Sequence, residues 1–150
     1  MLKVVDWAGN EVSYTFWLDS VAPTITKASI KGPDANKHTV DGKPTWFVTD
    51  NNGVYLTFTA DEDLGALPTV TIGGQTVTTK AQPDDGQKKS YAAYLYTNGK
   101  VPQGEIAFTI DYVDPAGNAG TQVTATTDDT RVILDRTAPK IVAKGDGNAY

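Results

Sequence analysis

The stretch Ile106-Ala107-Phe108-Thr109-Ile110-Asp111-Tyr112-Val113 decides the fold class of this chain of 150 residues. From Ile106 to Tyr112 every second residue is large and apolar, and small or polar residues stand between them. Successive side chains of a β-strand point to opposite faces of the sheet. The alternation therefore predicts a strand with one face buried in a core.

The same alternation continues in both directions along the chain. It predicts further strands at Val54–Ala60, Thr69–Ile72, Gln75–Thr79, Tyr91–Tyr96, Val132–Leu134 and Val12–Leu18. Many short strands separated by Gly, Pro, Asn and Asp turns are typical of an all-β sandwich or barrel. The segment Lys31–Asp50 is the exception, because Gly and Pro interrupt it; we expect a long loop there, with a short edge strand at Trp46–Val48.

Two short motifs occur twice, in the same order. Val-Asp-Trp-Ala-Gly-Asn at Val5–Asn10 returns as Val-Asp-Pro-Ala-Gly-Asn at Val113–Asn118, 108 residues later. Leu18–Pro23 returns as Leu134–Pro139, 116 residues later, with Asp, Ala and Pro at matching positions. The second copy therefore carries eight extra residues, and we place this insertion around Thr124–Thr130. Such a period predicts a repeated module.

The motif Asp-x-Ala-Gly-Asn, followed by a strand and Asp-x-x-Ala-Pro, resembles the end of bacterial immunoglobulin-like (Big) domains. Val54–Glu62 and Pro68–Gly74, with their Thr-rich strands and acidic turn, are also similar to that family. The resemblance covers most of residues 22–139. It implies an all-β fold, an immunoglobulin-like antiparallel β-sandwich with Greek-key connections.

The repeat and the resemblance together predict three parts. Residues 1–21 are the closing strands of a preceding immunoglobulin-like module, residues 22–136 a complete module, and residues 137–150 a linker and the start of a following module. The alternative is a single fold that incorporates Met1–Leu18 as its own strands. An isolated hairpin is marginal in water, so this segment needs something to pack against.

Domains of this family serve as spacers and binding units, and fold alone does not fix function. Proline fixes φ and pushes its predecessor toward extended geometry, so the Ala-Pro pairs predict stiff joints. We therefore expect a non-catalytic structural or adhesion module, a spacer or stalk repeat, of a bacterial extracellular protein that is secreted or attached to the cell surface. Its expected partners are neighbouring modules of the same chain, or else a glycan or a host or cell-surface protein. The alternatives are a carbohydrate-binding accessory domain of a secreted glycoside hydrolase and a calcium-stiffened adhesin repeat.

Composition excludes several other functions. The net charge of −5 and pI near 4.7 argue against a nucleic-acid partner, which would require a basic face. No apolar stretch approaches the length of a membrane span, so no membrane insertion is expected. With a single histidine, His38, no cysteine and no Gly-x-Ser-x-Gly motif, the chain is not expected to be an enzyme.

Calcium is the only cofactor that the sequence suggests, because carboxylate-rich turns offer the oxygen ligands that this ion prefers. Asp61, Glu62 and Asp63 lie in one predicted turn, and Asp114 and Asp135 lie near the module ends. Asp6 and Asp19 are the earlier copies of those last two residues. If the ends of two modules meet, one ion could stiffen the joint between them.

Aromatic side chains are the candidate sugar-binding residues, since they stack on the apolar faces of sugars. Trp46 is the predicted ligand-binding residue. The other aromatic candidates are Trp7, Trp17, Tyr91, Tyr94 and Tyr96.

Overall fold

The computed structural model describes residues 1–82 and 89–141. Within these ranges the chain is all-β, with one 3-10 turn at Asp34–Asn36 and no helix long and apolar enough to cross a membrane. The strands, numbered along the chain, are β1 Leu2–Val5, β2 Glu11–Tyr14, β3 Ile25–Lys31, β4 Lys37–Val40, β5 Lys43–Val48, β6 Gly53–Ala60, β7 Thr69–Ile72, β8 Gln75–Val77, β9 Thr79–Ala81, β10 Ser90–Tyr96, β11 Gly104–Glu105, β12 Phe108–Asp111 and β13 Arg131–Leu134.

Three sheets form the main body. Their strand orders are β3-β6-β10-β9, β11-β13-β5-β4 and β12-β7-β8. Every neighbouring pair is antiparallel except β13 and β5, which run parallel with Val132 opposite Trp46. Strands β1 and β2 form a separate two-stranded hairpin, in which all eight residues are exposed.

The core lies where the inward faces of these three sheets meet. Val54, Leu56, Phe58 and Ala60 of β6 are at most 2% exposed, which confirms the alternation predicted for that strand. The large apolar residues of the next strand region, Ile106, Phe108, Ile110 and Tyr112, are at most 6% exposed. Burial of each large apolar side chain contributes about 1.5–3 kcal/mol, so the alternation fixes which face of each strand turns inward.

The segment Lys31–Asp50 differs from its prediction. Asp41 and Gly42 have φ of 53° and 75°, and a two-residue hairpin turn with positive φ joins β4 to β5. Asp-Gly is a strong signal for such a turn, and it outweighs the strand-breaking effect of Gly42. Strand β5 lies between β4 and β13, so the prediction of an edge strand at Trp46–Val48 is wrong.

The segment Thr124–Thr130, around which the insertion is predicted, runs along the outer edge of β3. The Thr127 amide donates to the Ala28 carbonyl at 2.9 Å, and the Thr130 hydroxyl accepts from the Ile30 amide at 3.0 Å. An unpaired strand edge is a template for association with other chains. The extra residues therefore cover an edge that would otherwise be open.

The division into residues 1–21, 22–136 and 137–150 remains a prediction. Residues 142–150, the greater part of the predicted third module, lie outside the described residues. Four apolar residues of the N-terminal segment are exposed, whereas their copies one repeat later are buried. The pairs are Leu2 (52% exposed) and Ile110 (0%), Val4 (53%) and Tyr112 (6%), Phe16 (68%) and Val132 (0%), and Leu18 (92%) and Leu134 (0%).

Candidate functional site

The candidate site is built around the turn Asp114–Asn118, which follows β12. The Asp114 carboxylate accepts hydrogen bonds from the Asn118 amide at 2.8 Å and from the Asn118 side chain at 2.7 Å. The Gly117 amide donates to the Asp114 carbonyl at 3.2 Å, and Gly117 has φ of 92°, a value that favours glycine. The motif residues therefore close the turn on themselves and hold the Asn118 side chain in one orientation.

The first copy of the motif forms the same turn. The Asp6 carboxylate accepts from the Asn10 amide at 2.9 Å and from the Asn10 side chain at 2.8 Å, and Gly9 has φ of 84°. The strand register after the turn also matches, because Val5 pairs with Glu11 as Val113 pairs with Ala119. The sequence repeat is thus a repeat of local structure.

The Asn118 side chain reaches beyond its own turn to the segment Asp19–Pro23. Its Nδ2 lies 3.1 Å from the Asp19 carbonyl oxygen and 3.3 Å from that of Val21. One of the two Nδ2 protons serves Asp114, so the other is shared between these two carbonyls. The second copy of the turn therefore holds the linker that follows the first copy.

Two further contacts fix the chain as it leaves this linker. Pro23 is buried, and a Cβ added at Gly120 would lie 2.8 Å from the Pro23 carbonyl oxygen, so the two segments pack closely. The Asp61 carboxylate accepts from the Thr24 amide at 2.9 Å and from the Thr24 hydroxyl at 2.6 Å. These contacts define the entry joint: Asp19–Thr24 on one side and Asp61, Asn118 and Gly120 on the other.

Three carboxylates converge at the entry joint. One oxygen from each of Asp19, Glu62 and Asp114 lies within 4.8 Å of the other two. Burial is the largest influence on the pKa of Glu62 and raises it, and repulsion by Asp19, Asp61 and Asp114 adds to this. Burial also opposes ionisation of Asp114, but the hydrogen bonds from Asn118, Gly117 and Ala116 outweigh it and lower the pKa of that carboxyl. The arrangement offers a hard cation three carboxylate ligands at one point.

The predicted metal residues separate into two groups. Glu62 and Asp114 belong to the converging set, and Asp61 lies beside it with its carboxylate bonded to Thr24. Asp63 is exposed and outside the set, and Asp135 lies at the other end of the repeat, where it caps the Thr137 amide at 2.8 Å. Asp19, the first copy of Asp135, takes the place expected for Asp135. Because the repeat pairs Asp19 with Asp135, it already indicated Asp19 as an equivalent candidate ligand.

The aromatic candidates differ in how exposed their side chains are. Trp46 is 2% exposed and belongs to the core, so its ring faces are closed to a sugar in this structure. Tyr91 is likewise buried, at 3%. Tyr94 is half-exposed beside Tyr55, with ring centroids 4.7 Å apart and planes inclined by 50°, so these two rings do not form one flat platform. The most exposed aromatic side chains described, Trp7 and Trp17, lie in the N-terminal segment.

No protein-family model matches the chain, and a search of curated proteins finds no significant match.

Proposed function

We propose that this chain is a non-catalytic structural module of a modular stalk or spacer, with the immunoglobulin-like Greek-key sandwich as its fold and the outside of a bacterial cell as its location. The observation that carries the proposal is the entry joint. A linker that ends one copy of the repeated motif is held by the turn of the next copy through Asn118.

A stalk needs joints that resist bending. In the entry joint, hydrogen bonds from Asn118 to the linker and from Thr24 to Asp61 act on both sides of the buried Pro23. Repeat proteins gain extended, semi-rigid shapes when each unit contacts only its neighbours in this way. The joint thus supports a role in which the module fixes the distance and the direction between its neighbours in the stalk.

The hairpin of β1 and β2 supports the same role. Leu2 and Val4 of the hairpin are exposed, although their copies Ile110 and Tyr112 are core residues of the main body. A preceding module whose core they complete accounts for that exposure. Residues 1–21 then belong to the neighbour, as the repeat predicts.

The proposal is tested with a tandem protein in which residues 1–139 are followed by a second copy of residues 24–150, so that Asp135–Pro139 links two modules. We expect small-angle X-ray scattering to show a maximum dimension close to twice that of one module, with a narrow distribution of shapes. A matched control carries Ala138→Gly and Pro139→Gly, which should make the linker flexible. A compact tandem, or one as flexible as this control, would contradict the stalk proposal.

The converging carboxylates favour a second candidate function, a calcium-stiffened joint. Asp19, Glu62 and Asp114 would supply three of the six to eight oxygen ligands that calcium takes, and their mutual repulsion would be relieved by the ion. Asp19 belongs to the linker, whereas the other two belong to the main body. An ion bound at this point would therefore connect the linker to the main body.

Thermal unfolding with and without millimolar calcium tests this candidate, with magnesium as a second ion. A ligand at 100 times its Kd stabilises the folded state by about 2.7 kcal/mol, a readily measured shift. We expect the shift to disappear in Glu62→Gln and to persist in Asp63→Asn, which removes an acid of the same turn from outside the set. The absence of any calcium-dependent shift in the unaltered chain would rule the candidate out.

A further inference from the structure

The exit segment Asp135–Pro139 has the same local structure as the segment Asp19–Pro23 of the entry joint. The Asp135 carboxylate accepts from the Thr137 amide at 2.8 Å, as the Asp19 carboxylate accepts from the Val21 amide at 3.1 Å. Both side chains bond to the amide two residues ahead, and Ala-Pro follows in both. The exit segment therefore repeats the Asp-capped turn and the Ala-Pro pair of the segment that the entry joint holds.

The two segments differ in what covers them. Pro23 is buried, whereas Pro139 is exposed. The carbonyls of Asp19 and Val21 accept from Asn118, whereas in the described part of the chain no donor meets the carbonyls of Asp135 and Thr137. Among the described residues, the exit segment thus lacks a hydrogen-bond donor equivalent to the Asn118 side chain that its copy contacts.

We propose that the exit segment is a docking segment for a following module of the same kind, whose Asp-x-Ala-Gly-Asn turn would place its Asn side chain against the carbonyls of Asp135 and Thr137. This inference rests on the proposed function and names the partner of that joint. The partner is a second module of this fold, next along the chain.

Arg136 prepares the exit segment for this docking. Its guanidinium bonds the Asp50 carboxylate at 2.8 Å and 3.0 Å, and its Nη2 also donates to the carbonyls of Asn98 at 2.8 Å and Val101 at 2.9 Å. The corresponding residue of the entry segment is Ser20. A segment that is already fixed at Arg136 has fewer residues left to order, and therefore loses less conformational entropy when Ala138 and Pro139 dock. The exit joint would thus be held from both sides.

Lys140 indicates which kind of following module could dock on the exit segment. It stands where the entry joint has Thr24, the residue bonded by Asp61. An acid at the position of Asp61 in the following module would meet an ammonium group in place of a hydroxyl. We therefore expect the partner to retain a carboxylate in its acidic turn.

The tandem protein described above tests the docking, with the amide of Ala138 as the reporter in NMR relaxation. In the single chain we expect an order parameter below about 0.6 for this amide, and in the tandem about 0.85, the values of flexible and rigid backbone. Asn118→Ala in the second copy should return Ala138 to the flexible value. Asn10→Ala is the matched control, because Asn10 makes the same turn contacts but holds no linker within the described residues.

Hydrogen exchange of the Asn118 side-chain amide gives a measurement that needs no variant. In the tandem we expect the amide groups of both copies to be protected to the same extent, since both would be bonded to a linker. Fast exchange in the second copy alone, or an Ala138 order parameter unaffected by Asn118→Ala, would overturn the docking. An extended, rigid tandem with either of these results would leave the stalk proposal standing, whereas a compact tandem would contradict the stalk itself.

Discussion

Thr97 and Thr79 are both buried threonines, 0% and 4% exposed, but their hydroxyl groups have different surroundings. The Thr97 hydroxyl accepts from the Asn52 amide at 2.8 Å and lies 2.8 Å from the Thr49 carbonyl oxygen. The Thr79 hydroxyl has no hydrogen-bond partner among the described residues. A buried polar group costs free energy when it is left unpaired.

We expect Thr97→Val to lower the free energy of unfolding by about 1–3 kcal/mol, because it leaves the Asn52 amide and the Thr49 carbonyl unsatisfied. Thr79→Val changes the same atoms and should be neutral or stabilising. Urea denaturation of both variants checks the pair. Equal losses in the two variants would show that the methyl packing, and not the hydrogen bonds, decides the outcome.

The negative charge of Glu62 works against folding, because burial and nearby carboxylates raise the pKa of this carboxyl. Its pKa is raised in the folded chain, so the folded state binds more protons than the unfolded state between the ordinary glutamate value, about 4.3, and the raised one. Stability therefore falls as the pH rises through that window and stays lower above it. We expect Glu62→Gln to stabilise the chain at pH 7 in the presence of a chelator, and the gain to vanish below the ordinary value.

Chemical denaturation at pH 7 and at about pH 3.5, below the ordinary glutamate pKa, measures this dependence. Asp63→Asn changes the net charge by the same amount and is the control for general charge effects. A destabilised Glu62→Gln variant at pH 7 would mean that its carboxylate makes a favourable contact stronger than the repulsion from Asp19, Asp61 and Asp114.

At the scale of the elements, the segment Thr124–Thr130 protects β3. We expect Thr130→Val to expose the Ile30 amide, which would exchange its proton faster, and to lower the free energy of unfolding by about 1–3 kcal/mol. Hydrogen exchange measured by NMR checks the first effect at the affected residue. Thr124→Val, at an exposed position of the same segment, should change neither quantity. Unchanged protection of Ile30 in Thr130→Val would contradict the covering role.

Strand prediction succeeded where the signal was local. The alternation in β6 and β12 and the turn signals around them are properties of a few consecutive residues, and the structure confirms them. The position of β5 inside its sheet could not be predicted from a few consecutive residues, because its parallel partner β13 lies 86 residues further along the chain. Only the folded arrangement shows that Trp46 faces the core.

At the scale of the whole molecule, we expect the N-terminal hairpin to be separable from the main body. Phe16, Trp17 and Leu18 are 68%, 94% and 92% exposed, so chymotrypsin should cut after them, upstream of the linker that Asn118 holds. We expect the remaining chain to keep its Tm within about 3 °C, the shift that 1 kcal/mol produces at this size.

Mass spectrometry of the digest and thermal unfolding of the product measure both effects. Tyr94 and Tyr96 are also exposed, at 42% and 54%, but lie in β10, so their resistance to cutting is the internal control. A large fall in Tm after removal of the hairpin would favour the single fold that incorporates Met1–Leu18. In a parallel digest with elastase, which cleaves after small aliphatic residues, cutting after Val21 would show that the entry joint does not protect the linker.

The sequence by itself determined the all-β class, the inward faces of the main strands, and the repeated turn that Asp and Asn close on themselves. These depend on a period of two residues and on hydrogen bonds across two to four residues. Only the tertiary structure decided that Asn118 holds the Asp19 carbonyl from 99 residues away, that Asp19 joins Glu62 and Asp114, and that Trp46 is buried. Contacts between distant segments depend on how whole sheets pack, and the patterns of neighbouring residues do not encode that packing.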